Sequence, residues 1–159
     1  MFEVYLLLGS NEGKPEENLA AARKYIAATC GEVLRVSSLY KTEAWGLKEQ
    51  NSFLNQAIFI KTGLAPLSLL NALKKIEKDT GRVETIKWGP RIIDIDILFY
   101  GDQIINLPEL KIPHLHIPER RFTLTPVCEI APLYVHPIIG KSIEQLLAIC
   151  PDKSEVVKV

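Results

Sequence analysis

The chain has 159 residues, of which 47% are hydrophobic and 24% are charged. It carries 19 Lys and Arg residues against 19 Asp and Glu residues, so its formal net charge is zero. A chain of this size and composition can bury a core, and we expect one globular domain over residues 1–159. The balanced charge argues against a general nucleic-acid or membrane-surface binder.

The cysteines are Cys30, Cys128 and Cys150, an odd number whose spacing fits no zinc motif. We expect them to be small buried residues in a reducing compartment. No stretch approaches the ~20 apolar residues of a membrane span. The apolar run at residues 2–8 is too short for a signal peptide with its flanks. The sequence therefore predicts a cytoplasmic protein with no membrane partner.

The first half of the chain alternates strand and helix patterns. Residues 2–8 are a near-continuous apolar run that predicts a central strand, ended by a turn at residues 9–11. A helix is predicted over residues 15–30, because Pro15 suits the first helical position and Gly31 suits the position after the last. Residues 33–40 and 53–62 are rich in β-branched and aromatic side chains, which predicts two more strands.

The second half begins with an amphipathic helix predicted over residues 66–79, in which leucine and isoleucine recur at helical spacing. Residues 92–100 predict a strand, which Gly101-Asp102 turns onto a short partner at residues 103–106. Polar loops are expected at residues 41–52 and 82–91, and short helices near residues 120–130 and 142–150. This order predicts an α+β fold with helices packed on a mostly antiparallel sheet, resembling the ferredoxin-like arrangement.

The segment Asp94-Ile95-Asp96 is the most informative for chemistry. Side chains alternate between the faces of a strand, so both carboxylates share one face, about 7 Å apart. The other face takes Ile93, Ile95, Ile97 and Phe99. Two such carboxylates repel unless a cation lies between them, and oxygen ligands favour Mg²⁺. A solvated sheet face is the alternative interpretation.

Two further groups of residues indicate ligands. Arg82 and Arg91 bracket the second polar loop, and His114, Arg120 and Arg121 follow it; arginine forks of this kind bind phosphate oxygens. Phe53 and Asn55 share one strand face, which suits a flat heteroaromatic ligand, and Phe122 could close its other side. Surface charges and core phenylalanines are the alternatives.

The chain resembles 6-hydroxymethyl-7,8-dihydropterin pyrophosphokinases, enzymes of folate biosynthesis, over nearly its whole length. The most specific part is Trp-Gly-Pro-Arg followed by Asp-x-Asp in WGPRIIDIDILFY at residues 88–100. Four other segments carry the resemblance in order: YLLLGSN at 5–11, SSLYKT at 37–42, FLNQA at 53–57 and IPHLHIPERRFTLTPVCEIAP at 112–132.

The resemblance implies a three-layer sandwich with helices on both faces of the sheet. It also implies diphosphate transfer from ATP to the pterin hydroxymethyl group, by attack on the β-phosphorus with release of AMP. Two Mg²⁺ ions and ATP are implied, with small molecules as the partners. We expect a monomer, although the sequence itself does not give the oligomeric state. A role for Asp96 as proton acceptor is not separable from metal binding at this point.

Residue roles follow from the same resemblance. Asp94 and Asp96 would hold the two Mg²⁺ ions, and Arg82 and Arg91 would join them in catalysis. Thr42, through its backbone, and Asn55 would contact the pterin edge, while Phe53 and Phe122 would stack on its faces. The implied ATP-binding residues are Glu77, Trp88, Arg91, the Ile97 backbone, His114 and Arg120. Arg82 would also contact the triphosphate, and Trp88 would belong to a lid formed by the second loop.

Three positions depart from relatives. Lys74 stands where some carry glutamine, Glu84 where some carry a basic residue, and Trp45 where a smaller apolar residue is found. These departures bear on nucleotide affinity and lid motion. Two other functions are alternatives. A palm-like nucleotidyl transferase also uses paired aspartates, but the charge balance argues against it. A non-catalytic ferredoxin-like sensor would leave the paired aspartates and the arginines unexplained.

Overall fold

A computed structural model of the chain describes residues 1–42, 52–80 and 92–159. The main sheet contains strands β1 (Phe2–Ser10), β2 (Gly31–Val36), β3 (Tyr40–Thr42), β4 (Phe53–Thr62), β5 (Asp94–Tyr100) and β8 (Val157–Lys158). A separate hairpin pairs β6 (Ile105–Leu107) with β7 (Leu110–Ile112). The helices are α1 (Pro15–Thr29), α2 (Pro66–Asp79), α3 (Arg121–Ile130) and α4 (Ile143–Ala148), with a 3-10 turn at Ile117–Glu119.

The main sheet is antiparallel throughout the pairings observed. Its strand order is β5-β1-β4-β3-β8, and β2 pairs with the other half of β4. The apolar strand β1 lies between β5 and β4, which confirms the prediction of a central strand. The continuous strand predicted over residues 33–40 is instead two strands, β2 and β3, separated by residues 37–39.

Helices cover both faces of the sheet, so the fold is a ferredoxin-like three-layer sandwich, as expected. On one face, α1 and α2 bury Leu19 and Leu69 against Leu6 and Leu8 of β1. On the other face, α3 and α4 bury their apolar side chains, led by Leu124, Val127 and Leu146, against Tyr5, Leu7 and Ala57 of the sheet. Because β1 alternates, one strand contributes to both cores.

Three further predictions about local structure were wrong. Gly9 and Ser10 are the last residues of β1, not the start of a turn. The partner of residues 105–107 is β7, not β5. Phe99 does not share a face with Ile97, because the register between β1 and β5 shifts beside Leu98: Leu6 pairs with Ile97 and Tyr5 with Phe99. Such a bulge adds one residue and reverses the alternation beyond it.

The predicted helices agree with the structure. Pro15 and Pro66 are the first residues of α1 and α2, where the missing proline N–H leaves no hydrogen bond unmade. Helix α3 begins at Arg121, whose backbone N–H donates to Oδ2 of Asp152 at 3.0 Å. In the described part of the chain, no helix is long and apolar enough to cross a bilayer.

Candidate active site

The two aspartates of β5 lie on the sheet face covered by α3. Asp94 pairs with Gly9 and Asp96 pairs with Leu7, and Leu7 belongs to the core beneath α3 and α4. Directly paired residues project from the same face of a sheet. Both aspartates are half-buried, whereas Ile93, Ile95 and Ile97 are buried on the opposite face. The predicted common face of the carboxylates is confirmed.

A row of four residues crosses the sheet at the level of Asp94. Asp94 pairs with Gly9, Gly9 with Asn55, and Asn55 with Tyr40. With neighbouring strands spaced about 4.8 Å, the backbones of Asp94 and Asn55 are about 10 Å apart. The acidic pair and the predicted pterin-reading amide therefore lie on one face, separated by a residue without a side chain.

Gly9 leaves the space that the Asn55 amide uses. A Cβ atom at Gly9 would lie 2.8 Å from Oδ1 of Asn55, which is closer than carbon and oxygen approach without displacement. Asn55 itself is buried. The sequence interpretation missed this role because it assigned Gly9 to a turn. A glycine inside a strand is a signal of close approach, and it could have been found on that basis.

The start of β5 is held by residues at the end of β1. The Ser10 hydroxyl, which is fully buried, donates to the carbonyl of Ile92. Asn18 of α1 donates from Nδ2 to Oγ of Ser10 at 3.1 Å and to the carbonyl of Glu12 at 2.8 Å. These bonds fix the backbone two residues before Asp94.

Glu77 supports the peptide between the two aspartates. This buried carboxylate of α2 accepts a hydrogen bond through Oε2 from the backbone N–H of Ile95 at 2.8 Å. The side chain of Ile97 is buried in the core beneath α1 and α2. The predicted contacts of Glu77 and the Ile97 backbone with a nucleoside remain predictions.

His114 lies beside Asp96. Its backbone N–H donates to the carbonyl of Leu98 at 3.0 Å, and its Nδ1 accepts from the N–H of His116 at 3.2 Å. Its Nε2 is 4.0 Å from Oδ2 of Asp96. Because Nδ1 accepts, the neutral ring carries its proton on Nε2, the nitrogen nearest the carboxylate.

Burial, together with the nearby Arg120 and His116, lowers the pKa of His114 to about 4. The ring is therefore a neutral hydrogen-bond donor at neutral pH. Burial likewise lowers the pKa of Arg120, while Asp96 and Asp94 oppose that change. Arg120 thus remains charged and lies within the field of both carboxylates. Its guanidinium carbon is 5.5 Å from the ring centre of Phe122.

The predicted pterin residues come from β3, β4 and α3. Phe53 pairs with Thr42, one row beyond Asn55 and Tyr40, so these side chains share the α3 face. Thr42 is buried and Phe53 is half-buried. Phe122 lies in the first turn of α3 and packs against the core beneath that helix.

Arg82, Trp88 and Arg91 lie outside the described residues, as do Glu84 and Trp45 and the predicted lid. Lys74 lies in α2. In the described ranges, no group of three or more His, Cys, Asp or Glu side chains is placed to hold a metal. Two carboxylates suffice for Mg²⁺, which takes its other ligands from water and substrate phosphates. Asp94 and Asp96 therefore fit this ion by number and donor type.

Comparison with known proteins gives the family. The model of the family described as 7,8-dihydro-6-hydroxymethylpterin-pyrophosphokinase (HPPK) matches residues 5–132. The chain belongs to the HPPK family. Its predicted activity as a diphosphokinase of folate biosynthesis is confirmed at this level. Residues 5–132 include all five segments that carried the resemblance and every predicted site residue.

Two bacterial relatives are both named 2-amino-4-hydroxy-6-hydroxymethyldihydropteridine pyrophosphokinase. The HPPK relative from Pseudomonas aeruginosa is 42% identical over 149 residues, which cover 93% of this chain and 91% of the relative. The one from Aquifex aeolicus is 42% identical over 145 residues, covering 91% of this chain and 90% of the relative.

A solved structure shares the fold. The HPPK-DHPS of Plasmodium falciparum, crystallised with pteroate, superimposes with a TM-score of 0.74 at 18% identity. The match covers 92% of this chain and 42% of that one. The present chain thus spans less than half the length of this HPPK-containing protein.

Proposed function

We propose that the chain transfers the β,γ-diphosphate of ATP to the hydroxymethyl group of 6-hydroxymethyl-7,8-dihydropterin in an Mg²⁺-dependent reaction that releases AMP. The row from Asp94 through Gly9 to Asn55 is the observation that carries this assignment of the site. It puts a pair of carboxylates on the same surface as the predicted pterin residues, about two strand spacings apart. That distance suits a pterin whose hydroxymethyl group extends toward the acidic pair.

In the proposed reaction, the hydroxymethyl oxygen bonds to the β-phosphorus and gives up its proton, which ends in the solvent. The bond from that phosphorus to the α–β bridging oxygen breaks, and AMP leaves with this oxygen. Two Mg²⁺ ions held by Asp94 and Asp96 would neutralise phosphate charge and increase the acidity of the hydroxyl group. The carboxylates hold their positions because Glu77 fixes the Ile95 peptide between them.

Residues around the acidic pair would bind the triphosphate. Neutral His114 would donate a hydrogen bond from Nε2, and Arg120 would supply a positive charge and a planar set of donors. We assign Arg82 and Arg91 to the same task from the family resemblance. Glu77, Trp88 and the Ile97 backbone are proposed to contact the nucleoside.

The pterin would bind between Phe53 and Phe122. Its edge carries donors and acceptors, and the buried Asn55 amide offers both. The backbone at Thr42, paired with Phe53, would contact the same edge. Stacking on two phenylalanine rings would hold the plane of the ligand.

We further propose that the chain is a single domain that acts as a monomer in the cytoplasm, on small molecules and not on nucleic acid. Three free thiols support the reducing compartment, and two of them, Cys30 and Cys150, are buried. The zero net charge supports the absence of a nucleic-acid partner.

The assignment is tested by incubating the protein with Mg²⁺, the hydroxymethyl dihydropterin and ATP labelled at the γ-phosphorus. We expect AMP and a labelled pterin diphosphate in equal amounts, and no product in EDTA. ADP with a pterin monophosphate would indicate an ordinary kinase, and the absence of turnover would support the sensor. Mn²⁺ binding followed by paramagnetic resonance, without turnover, tests the metal site: loss of Asp94 or Asp96 should weaken it.

A further inference from the structure

The carboxylate of Glu129 connects α3 to the strand that borders the pterin residues. It accepts hydrogen bonds from the Ser38 backbone N–H at 3.1 and 3.0 Å, and from the Ser38 hydroxyl at 3.2 Å. It also accepts from the Tyr40 hydroxyl at 2.6 Å. These partners are 89 to 91 residues away along the chain. We call Ser38, Tyr40 and Glu129 the Glu129 cluster.

The ionisation states of the cluster suit these bonds. Burial, with the adjacent Glu129 carboxylate, raises the pKa of Tyr40 to about 12, so the phenol remains a donor at physiological pH. Burial would raise the pKa of Glu129, but hydrogen bonds from Tyr40 and Ser38 outweigh it and lower that pKa. Lys158 of β8 acts in the same direction. The carboxylate is therefore an ionised acceptor, and such bonds are stronger than neutral ones.

Tyr40 carries this connection into the candidate site. The residue is buried, with 7% of its surface exposed. It pairs directly with Asn55 and lies two residues before Thr42. The hydroxyl group of Tyr40 is thus bonded to α3, while the backbone of Tyr40 is paired with Asn55, the residue predicted to contact the pterin edge.

Helix α3 carries the opposite side of the site. Phe122 lies in its first turn and Glu129 in its last. Its ten residues span about 15 Å, with Pro126 inside the helix, and the helix packs against the sheet through Leu124 and Val127 between these two ends. Hydrogen bonds at the Glu129 end therefore restrict the position of Phe122 relative to β3 and β4.

We propose that Glu129, through Tyr40, is a positioning residue for the pterin: it sets the separation between Phe122 on α3 and the Thr42, Phe53 and Asn55 side of the site. This proposal rests on the proposed function. It also gives a role to Ser38 and Tyr40 in the segment SSLYKT and to Glu129 in TPVCEIAP, residues to which no contact with substrate was assigned.

A purely structural role would have different consequences. Helix α3 is also held by Leu124 and Val127 in the core, and Arg35 donates to the carbonyl of Ile130. If Glu129 merely added to this packing, its loss would lower the free energy of unfolding but would leave the affinity for pterin unchanged.

The test measures the dissociation constants of the hydroxymethyl pterin and of a non-hydrolysable ATP analogue with Mg²⁺ by calorimetry, for the full chain and its variants. For Glu129→Ala and Tyr40→Phe we expect the pterin constant to rise about tenfold, the scale of a lost hydrogen bond to a charged group. The ATP-analogue constant should change less than about twofold. The double variant should bind pterin no more weakly than the more affected single variant, because both substitutions break the same connection.

Glu129→Gln keeps one carbonyl acceptor, so it should recover part of the pterin affinity. Glu144→Gln is the matched control, since Glu144 is an exposed acid at the start of α4 in the same layer. Circular dichroism confirms folding, and Tyr40→Phe serves if the alanine variant does not fold. Equal weakening of both ligands, or lower stability with normal pterin affinity, would overturn the proposal. Wild-type protein that binds pterin without producing AMP would count against the proposed function alone.

Discussion

Gly9 shows how a single missing side chain shapes the candidate site. It lies in the row between Asp94 and Asn55, and the Oδ1 atom of Asn55 is 2.8 Å from the position that a Cβ atom at Gly9 would take. The amide is therefore positioned by the strand beside it as well as by its own strand. Any side chain at this position would compete with the amide for space.

Gly9→Ala should displace the Asn55 amide, because the new Cβ would lie 2.8 Å from Oδ1. We expect pterin affinity to fall about tenfold or more, the effect of one misplaced buried hydrogen-bonding group. Calorimetry with pterin and with an ATP analogue separates the two ligands. Gly63→Ala is the control, since its Cβ would meet only the flexible Met1 side chain at 3.5 Å. Unchanged pterin binding in Gly9→Ala would contradict this placement of Asn55.

Asp94→Ala and Asp96→Ala should each reduce the rate of AMP release by at least about 100-fold, because the metals they are proposed to hold stabilise transition-state charge. The free energy of unfolding should stay the same or rise, since repulsion between the carboxylates is relieved. Quenched-flow assays and urea unfolding measure the two quantities. Asp102→Ala, an exposed aspartate in the turn after β5, is the control. Near-normal turnover in either variant would refute the metal assignment.

For single residues, the sequence predicted the placements that follow from alternation along a strand. It did not predict those that follow from contacts between distant parts of the chain. The period of two along a strand was enough to place Asp94 and Asp96 on one face. Glu129 was not identified, because its partners lie 89 to 91 residues earlier and no spacing rule connects them. Arg82, Trp88 and Arg91 lie outside the described residues, so their roles remain predictions.

Among the elements, β5 has a shape that its alternating sequence did not predict. The shift beside Leu98 brings Leu98 and Phe99 into the same core beneath α3 and α4. The Leu98 carbonyl accepts from the backbone of His114, which places the imidazole next to Asp96. A bulge depends on the partner strand, and so periodicity in one strand cannot reveal it.

The turn at residues 136–141 depends on a neutral histidine. His136 is 4% exposed, and its Nδ1 accepts from the N–H groups of Ile138 and Ile139, each at 3.2 Å. Its backbone N–H also donates to Lys141 at 2.9 Å. A proton on Nδ1 would remove both acceptor bonds and bury a charge.

The stability of this turn should depend on pH. Burial lowers the pKa of His136 below its ordinary value of 6.5, so the unfolded chain binds this proton at higher pH than the folded chain. The contribution of neutral His136 to the free energy of unfolding is complete above pH 6.5. It is lost on acidification, by at most about 1.4 kcal/mol per pH unit. Between pH 5 and pH 8, the free energy of unfolding measured in urea should depend less on pH in His136→Asn than in the wild type. The asparagine amide oxygen can still accept the hydrogen bonds but does not titrate.

The pKa of His114 is lowered as well, so protonation of His114 also reduces the free energy of unfolding as the pH falls. The informative quantity is therefore the difference between wild type and His136→Asn at each pH, with His114→Asn as the comparison. Parallel pH profiles for wild type and His136→Asn would show that His136 titrates alike in the folded and unfolded chains.

For the molecule as a whole, the two cores share one sheet. Leu8 and Leu7 are neighbours in β1, yet they contribute to different cores. Damage on either face should therefore weaken the same cooperative unit, because the central strands cannot unfold on one side only. Composition and element order predicted the α+β fold class, since both depend on properties summed over many residues.

Leu19→Ala beneath α1 and Leu124→Ala beneath α3 test the shared sheet. Both leucines are fully buried, so each variant should lose about 2–5 kcal/mol of unfolding free energy. Each should still unfold in one transition, with coincident curves by far-ultraviolet and near-ultraviolet circular dichroism. Leu133→Ala, at a residue 75% exposed, should change stability by less than about 0.5 kcal/mol. Separate transitions for the two faces would mean that the layers fold independently.

The short strand β8 has a consequence for association between molecules. Val157 and Lys158 pair with β3, and the backbone N–H of Val159 donates to Leu39 at 2.9 Å. An open strand edge recruits strands from other chains and starts aggregation. By occupying this side of β3, these few residues should keep that edge of the sheet from pairing with a neighbouring molecule. We therefore expect their loss to lower solubility at high concentration more than it lowers the stability of the individual fold.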